Sequence, residues 1–550
     1  MKLLSSLLAA AASLFGLAFA LVPQDVVVVY NADSPLSVRC TEAYCARRAI
    51  PKENVVGLHG VTAADISRAD YTRLVMEPLM EEARVRGWQW PANPKMLGMR
   101  KAAILLMPDM PLRVAAAANL PKQLAGSGNN SASLDSELMN LGSLYPLGGP
   151  LGNPAYKKDG DISKHDPHVL SVCRIDAPDE ATIMRMINDP VEVEKRGLWG
   201  WAVVDQGGPY AEGDAMFKTA ASYAKVQGFP LFYETSRQTI GADFPLMNHV
   251  AVYWGWYNQH PNGPFASSAP AFRFEKGAVA YHLHSFSALS VKKPNQWVCA
   301  LLQRGASVTA GNVAEPYLGG CLNPEIFFAR LLQGYTVAEA SLMATPASSW
   351  QGVVLGDPLY RPFAARKNAP AGLNAFSQWR EMYRNGSANV SSMESMLTSH
   401  LRSEQAPVLA EAFAWYCTEN ARMDKAAEYF RVAAQLSKDT RDWTRNTLMQ
   451  ITVEYSRGEK AVAETLMKRM LEQTLASPYR KAIEQTADTV VEQRRKDRAA
   501  QAAAKAAAAQ EAAKKLSSNC VFACRQYSQI NTASVVCDVF NYFTIVEFEG

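Results

Sequence analysis

Val26-Val27-Val28-Val29-Tyr30, closed by Asn31, sets four β-branched residues and an aromatic side by side. β-Branched side chains suit extended backbone, and an unbroken apolar run marks a strand buried on both faces. Strands of that kind sit in parallel sheets, whose crossovers are helices. The chain downstream has the matching rhythm. Helical patterns cover 38–49 (stopped before Pro51), 64–86 (ended by Gly87), 179–194 with an acidic first turn, 214–227 (ended by Gly228), 296–303 and 324–344. Strand patterns cover 54–58, 102–107, 168–175, 198–204, 230–233, 250–254, 277–284 and 306–309. This alternation predicts an α/β domain: a mostly parallel sheet with helices on both faces. The stretch 108–166 is rich in Gly, Asn, Ser and Pro and reads as a long surface excursion with a short helix over 136–141.

Outward from that domain, the ends differ in character. Met1-Lys2 is followed by an uncharged run over 3–20 that closes on Ala18-Phe19-Ala20. A basic start, an apolar stretch and small residues at −3 and −1 predict a secretion signal over 1–20, cut after Ala20. The competing reading is a retained anchor, although roughly 18 residues barely span a bilayer. No Cys follows the cut, which argues against a lipid anchor. Periplasmic or extracellular export is expected, with no membrane attachment after cleavage. The α/β domain is placed at 21–366 and a Ser- and Asn-containing linker at 367–400. A helical segment at 401–490 carries Ala412, Tyr416, Ala426, Ala427, Tyr429 and Phe430 at hairpin spacing. It reads as a tetratricopeptide-like pair of hairpins or as a plain helical bundle. An Ala/Lys-rich helix is expected at 491–516; 517–550 has no assignment.

The 550 residues hold 56 basic and 52 acidic side chains, a net charge of +4, which gives no general argument for nucleic acid. Nine Cys are too few for a disulfide scaffold. Cys520, Cys524 and Cys537 lack a fourth zinc ligand, and a disulfide among them stays open. No G-x-S-x-G elbow, Walker A loop, H-E-x-x-H or G-x-G-x-x-G is present, so neither a metal nor another cofactor is indicated.

In open parallel sheets ligands bind beyond the carboxyl ends of strands. Those ends are rich in polar and aromatic residues here: Asn31; Asp109; Arg174 and Asp176; Asp205 with Gly207-Gly208-Pro209-Tyr210 and Gly213-Asp214; Trp254-Gly255-Trp256-Tyr257-Asn258; His282-Leu283-His284-Ser285; Gly311-Asn312 with Glu315-Pro316-Tyr317. Each has a bland alternative. Asp and Asn at strand ends cap helices or form turns, and Asp214 is first of all a helix cap. Paired tryptophans are usually core. His282 and His284 alternate along a strand and share a face; one His on a strand is usually a satisfied core residue, and two running into Ser285 weigh the functional and core readings about evenly. Asp135 suits either a helix start, with Ser133 or Asp135 as cap, or a functional carboxylate.

As a set, the first strand, Asp135-Ser136-Glu137, Arg174-Ile175-Asp176, Gly208-Pro209-Tyr210 with Gly213-Asp214, Tyr253-Trp254-Gly255-Trp256-Tyr257, His284-Ser285-Phe286-Ser287, Glu315-Pro316-Tyr317 and Gly356-Asp357-Pro358-Leu359-Tyr360 resemble an uncharacterised family of exported bacterial proteins. The resemblance spans about 26–363 and implies no activity. A remoter one is to gingipain-type, caspase-fold cysteine peptidases. It rests on Gly305-Ala306-Ser307-Val308, on Gly334-Tyr335-Thr336-Val337-Ala338-Glu339-Ala340 and on Gly356-Asp357-Pro358. That family carries its His in a G-H step after one strand and its Cys after the next. Here those places read Gly255-Trp256 and His284-Ser285, and neither Cys299 nor Cys321 ends the required strand. The resemblance therefore implies a shared fold without the dyad.

Two functional expectations follow. One is a hydrolase with Ser285 as nucleophile, His284 as general acid or base and Glu315 or Asp205 as orienting carboxylate, with His260 as an alternative partner for Ser285. The other is a non-catalytic module that holds an envelope peptide or glycan on Tyr210, Trp254, Trp256, Tyr257 and Tyr317, lined by Asn31, Asp109, Asp176 and Asp214, with the helical segment docking a protein partner. Oligomeric state is not legible.

Overall fold

The computed structural model describes residues 21–88, 101–116, 131–141, 149–160, 169–236, 240–242, 247–363 and 374–481, with 483–485, 487, 503 and 507. The expected leader, nearly all of 491–516, the tail and its three Cys lie outside the described residues. Described residues divide into two compact units, one within Met1–Tyr233, His249–Ser267 and Phe272–Gly386, the other within Glu234–Asn248, Ser268–Ala271 and Ser387–Gly550. No helix among the described residues is long and apolar enough to cross a membrane.

In chain order the first unit is built from β1 (Val26–Asn31), α1 (Pro35–Arg48), β2 (Val55–Leu58), α2 (Glu77–Val85), β3 (Ala103–Leu106), α3 (Leu134–Leu138), β4 (Ser171–Arg174), α4 (Glu180–Val193), β5 (Trp201–Asp205), α5 (Ala211–Val226), β6 (Leu231–Glu234), β7 (Val250–Gly255), β8 (Val279–His282), α6 (Trp297–Gln303), β9 (Thr309–Asn312), α7 (Pro324–Gln333), α8 (Val337–Ala344), β10 (Gly352–Leu355) and α9 (Ala375–Arg384). Six strands order as β9-β10-β4-β3-β1-β2 and four as β6-β5-β7-β8. β1 pairs parallel with β2 and β3, and β3 with β4. β7 pairs parallel with β5 and β8. A parallel bridge between Val279 and Val308 joins the two sets. β9 and β10 run antiparallel. The sheet is thus mostly parallel, as the apolar runs require: Val26 to Val29 have no exposed surface.

Neighbouring side chains on β7 show that both faces are covered. Trp254 packs on Phe327 and Phe328 of α7. Tyr253 packs on Phe265, which in turn meets Trp297 of α6. The Gly356-Asp357-Pro358 motif is a fastening. Buried Asp357 accepts the Tyr44 hydroxyl at 2.8 Å, pairs with Arg48 at 2.5 Å and caps the turn through Leu359 N–H.

Several elements differ from expectation, each for a local reason. The single helix over 324–344 is two: Gly334, at φ 93°, stops α7, and a Thr336/Glu339 capping box starts α8. The strand over 277–284 stops at His282, which leaves His284 and Ser285 in the following loop. The strand expected over 306–309 runs instead over Thr309–Asn312. β10 was not anticipated, because three consecutive apolar residues give too short a signal. The supposed linker over 367–400 holds two helices, with Phe376 and Trp379 of α9 buried. Its Asn residues are caps: Asn374 and Asn389 accept the N–H groups of Ser377 and Ser392.

The second unit stacks α10 (Val390–His400), α11 (Ala406–Glu419), α12 (Met423–Leu436), α13 (Thr440–Ser456) and α14 (Lys460–Gln473). Leu448, Ile451, Tyr455, Ala463, Met467, Met470 and Ile483 form one apolar cluster within it. Buried Arg445 holds Glu411 at 2.7 Å and Asp442 at 2.8 Å.

Candidate functional site

The chain leaves β7 at Gly255, and Trp256 turns back over the loop that follows β5. Its indole lies against Gly208 and Gly213, where a Cβ would come within 2.0 and 1.9 Å of ring atoms. Only glycine leaves that room. Asp214 clamps the arrangement: its Oδ1 accepts Gly207 N–H at 3.1 Å, Gly208 N–H at 3.0 Å and Trp256 Nε1–H at 2.8 Å. The helix cap position falls on Tyr210, so Asp214 is a clamp rather than a cap. Trp256 stacks on Phe217, with centroids 5.6 Å apart, and is 3% exposed. Trp254 has no exposed surface. Neither tryptophan is a ligand platform; both fill core slots.

Beyond Trp256, Tyr257 faces the loop after β8. Its ring lies 4.4 Å from the His284 ring, and its hydroxyl is 3.0 Å from Ser285 Oγ. His284 Nδ1 accepts Phe286 N–H at 3.1 Å, which places the proton of the neutral ring on Nε2. Burial pushes His284 down to about 4, with Glu315 pulling upward and His260 adding to the fall. Asn312, ending β9, donates its amide to the His284 carbonyl at 3.1 Å and to Cys321 Sγ at 3.6 Å. Burial pushes the Cys321 thiol up to about 12, which keeps it protonated and unreactive. The loop over 313–320 is pinned from below by Trp350 Nε1–H on the Pro316 carbonyl at 2.8 Å. It presents Glu315, whose Oε1 accepts Tyr317 N–H at 2.9 Å, and Tyr317 itself, at φ 55° and 69% exposed. Tyr210 is 54% exposed, its ring 6.4 Å from Trp256.

Beneath this edge lies a buried polar chain that the sequence did not reveal. His282 Nε2 accepts Asn258 N–H at 3.1 Å, so Nδ1 carries the proton and donates to the Tyr253 oxygen at 3.1 Å. Burial, and then the charge of neighbouring Asp205, hold the Tyr253 hydroxyl well above its usual range. His282 also stacks on Trp297, with centroids 3.5 Å apart. His282 and the Asp205 carbonyl, which accepts Trp256 N–H at 3.2 Å, thereby hold the turn carrying Tyr257, and the His284 Nδ1 that Asp205 was expected to orient is taken by Phe286 N–H.

Asn31, Asp109 and Asp176 form a separate cluster at the ends of β1, β3 and β4. Asn31 donates to the Val61 and Asp109 carbonyls. Lys292, from the loop after β8, pairs with Asp109 at 2.9 Å and Asp176 at 2.5 Å. Burial works to raise Asp109, but hydrogen bonds from Ser34 and Lys292 outweigh it and hold the carboxyl below its usual range. Asp176 is pushed above its usual range by burial, against the pull of Lys292 and Arg174. Lys292 sits in a polar loop with nothing in the sequence to single it out. Asp135 is paired with buried Arg174 at 2.6 Å, and Ser133 is the helix cap.

The loops after β5, β7, β8 and β9 thus carry Tyr210, Tyr257, His284 with Ser285, and Glu315 with Tyr317, and Tyr210 and Tyr257 both lie beside buried Trp256. In a Ser–His–Asp arrangement a carboxylate orients the base through Nδ1. Here that nitrogen is taken by a backbone N–H, and the serine hydroxyl pairs with a phenol. Among the described residues no group of three or more His, Cys, Asp or Glu side chains converges on a point able to hold a metal ion.

No protein-family model matches the chain, and no curated protein matches it. Among solved structures it is similar to "Complex of Porphyromonas gingivalis RgpB pro- and mature domains", at 8% identity and a TM-score of 0.37, over 61% of this chain and 79% of that one. It is also similar to "Structure of Protease", at 9% identity and a TM-score of 0.31, over 62% of this chain and 78% of that one. Neither likeness bears on the activity.

Proposed function

We propose that this chain is a non-catalytic binding protein of the cell envelope, whose α/β unit holds a peptide or glycan on the edge bearing Tyr210, Tyr257 and Tyr317. The observation that carries the reading is the wiring of His284. Its Nδ1 accepts Phe286 N–H, and Ser285 is bonded to Tyr257 rather than to an imidazole. A serine needs a base aimed at its proton to become a nucleophile, and the base needs an orienting partner. His284 has neither role open to it. Two well-exposed tyrosines, one on a pinned loop, supply the flat apolar faces and hydroxyl groups that sugars and peptide chains pack against. The expected secretion signal supports export to the envelope. Docking of a protein partner on the helical unit belongs to the same proposal.

Envelope-derived peptides and glycan fragments, screened against the mature chain by calorimetry, test this directly. A ligand that binds at least tenfold more weakly to Tyr317→Ala or Tyr210→Ala supports the reading. Labelling by a fluorophosphonate probe that disappears in Ser285→Ala overturns it in favour of hydrolysis.

A further inference from the structure

The Ala18-Phe19-Ala20 pattern places Leu21 at the start of the processed chain. The Leu21 nitrogen lies 3.3 Å from Oε1 of Glu339, a residue 318 positions away in sequence. Glu339 is 1% exposed, and the Leu21 residue is itself 8% exposed. The other carboxylate oxygen, Oε2, accepts Thr336 N–H at 2.8 Å as part of the capping box that opens α8. A buried carboxylate held by neutral backbone donors is costly unless a positive charge stands close by.

We infer that Glu339 is the receptor for the N-terminus created by leader removal. Hydrolysis of the Ala20–Leu21 peptide bond by a leader peptidase adds water across it. Ala20 leaves with the leader as a carboxylate, and Leu21 keeps the nitrogen as an α-ammonium. The atom that was an amide donor becomes a cation at the same place, beside a carboxylate excluded from solvent. Processing thereby converts a neutral hydrogen bond into a buried ion pair that ties the lead-in to β1 onto the first turn of α8. Burial holds the Glu339 carboxyl above its usual range, against the pull of its Thr336 and Leu21 donors and of Arg361, so a further nearby charge is well placed to act on it. The inference is independent of any ligand at the tyrosine edge.

Three measurements test it on the full processed chain. Intact mass and N-terminal sequencing of the exported protein should give Leu21 as the first residue; any other start overturns the inference. Thermal unfolding should then compare the chain beginning at Leu21 with the same chain retaining Ala20. Retention should lower Tm by roughly 1–2 °C, the shift expected for a change of about 1 kcal/mol in a unit of this size. In Glu339→Gln, which keeps the capping geometry, that difference should vanish; equal Tm values for the two forms in the wild-type background overturn the inference. If Glu339→Gln does not fold, acylation of the α-amine decides. The Leu21 amine should react about tenfold more slowly at neutral pH than a free terminus titrating near about 7.7–8.0, and an ordinary rate counts against the pair.

Discussion

At the residue scale, the glycines matter as much as the side chains they serve. Gly208 and Gly213 are empty so that Trp256 can lie flat, and Asp214 spends its Oδ1 on the three N–H groups that keep it there. Asp214→Ala should cost about 1–3 kcal/mol in chemical denaturation, because it strands three part-buried donors. A red-shifted tryptophan emission should accompany the loss. His284 makes a second residue-level test. Its folded value of about 4 lies below the ordinary 6.5. The unfolded chain therefore binds the extra proton first as pH falls, and stability should decline between about 6.5 and 4. NMR titration of the ring should give a midpoint near 4; a midpoint near 6.5 would show the ring to be solvated. These residues also mark where reading the sequence reached its limit. Strand-end polarity drew attention to Trp254, Trp256, Asp205 and Asp214. Nothing in one dimension showed that Phe217, Phe327 and Phe328 would bury the two indoles, or that Tyr253 would stand between Asp205 and His282.

At the scale of elements, the loop over 283–296 links the two clusters. Its first residues carry His284 and Ser285. Further along, Arg113 holds the Leu289 carbonyl at 2.5 Å, and Lys292 reaches Asp109 and Asp176. Lys292→Met should raise hydrogen exchange across 283–296 by at least tenfold and leave β1 and β3 protected. Adding Asp109→Asn and Asp176→Asn should recover most of the lost stability without restoring protection, since no charge is then left unpaired. Unchanged exchange in the single variant would show that the loop is held by its other contacts. Strands and helices with strong periodicity were legible: β1, β3, β4, β5 and β7 fall where their apolar runs lie. Shorter signals were not. The break at Gly334 and the caps at Asn374 and Asn389 have clear chemistry, but each was absorbed into a longer pattern, one helical and one polar.

At the scale of the whole molecule, the helical unit carries its own buried charge cluster. Arg445→Leu leaves Glu411 and Asp442 buried without their cation and should cost about 3–5 kcal/mol. Denaturation followed by circular dichroism at the helix band measures it. Ligand affinity at the tyrosine edge should stay as in the wild type, because none of the edge residues belongs to that unit. The sheet of the other unit has a seam. Its two parallel sets meet at a single bridge, with Ala280 N–H on the Val308 carbonyl and Ser307 N–H on that of Ala278. Every other junction inside the six-stranded set except β4–β10 is a ladder of several residues. Under mechanical load the unit should therefore part at its two single-pair junctions, β8–β9 and β4–β10, before any ladder unzips.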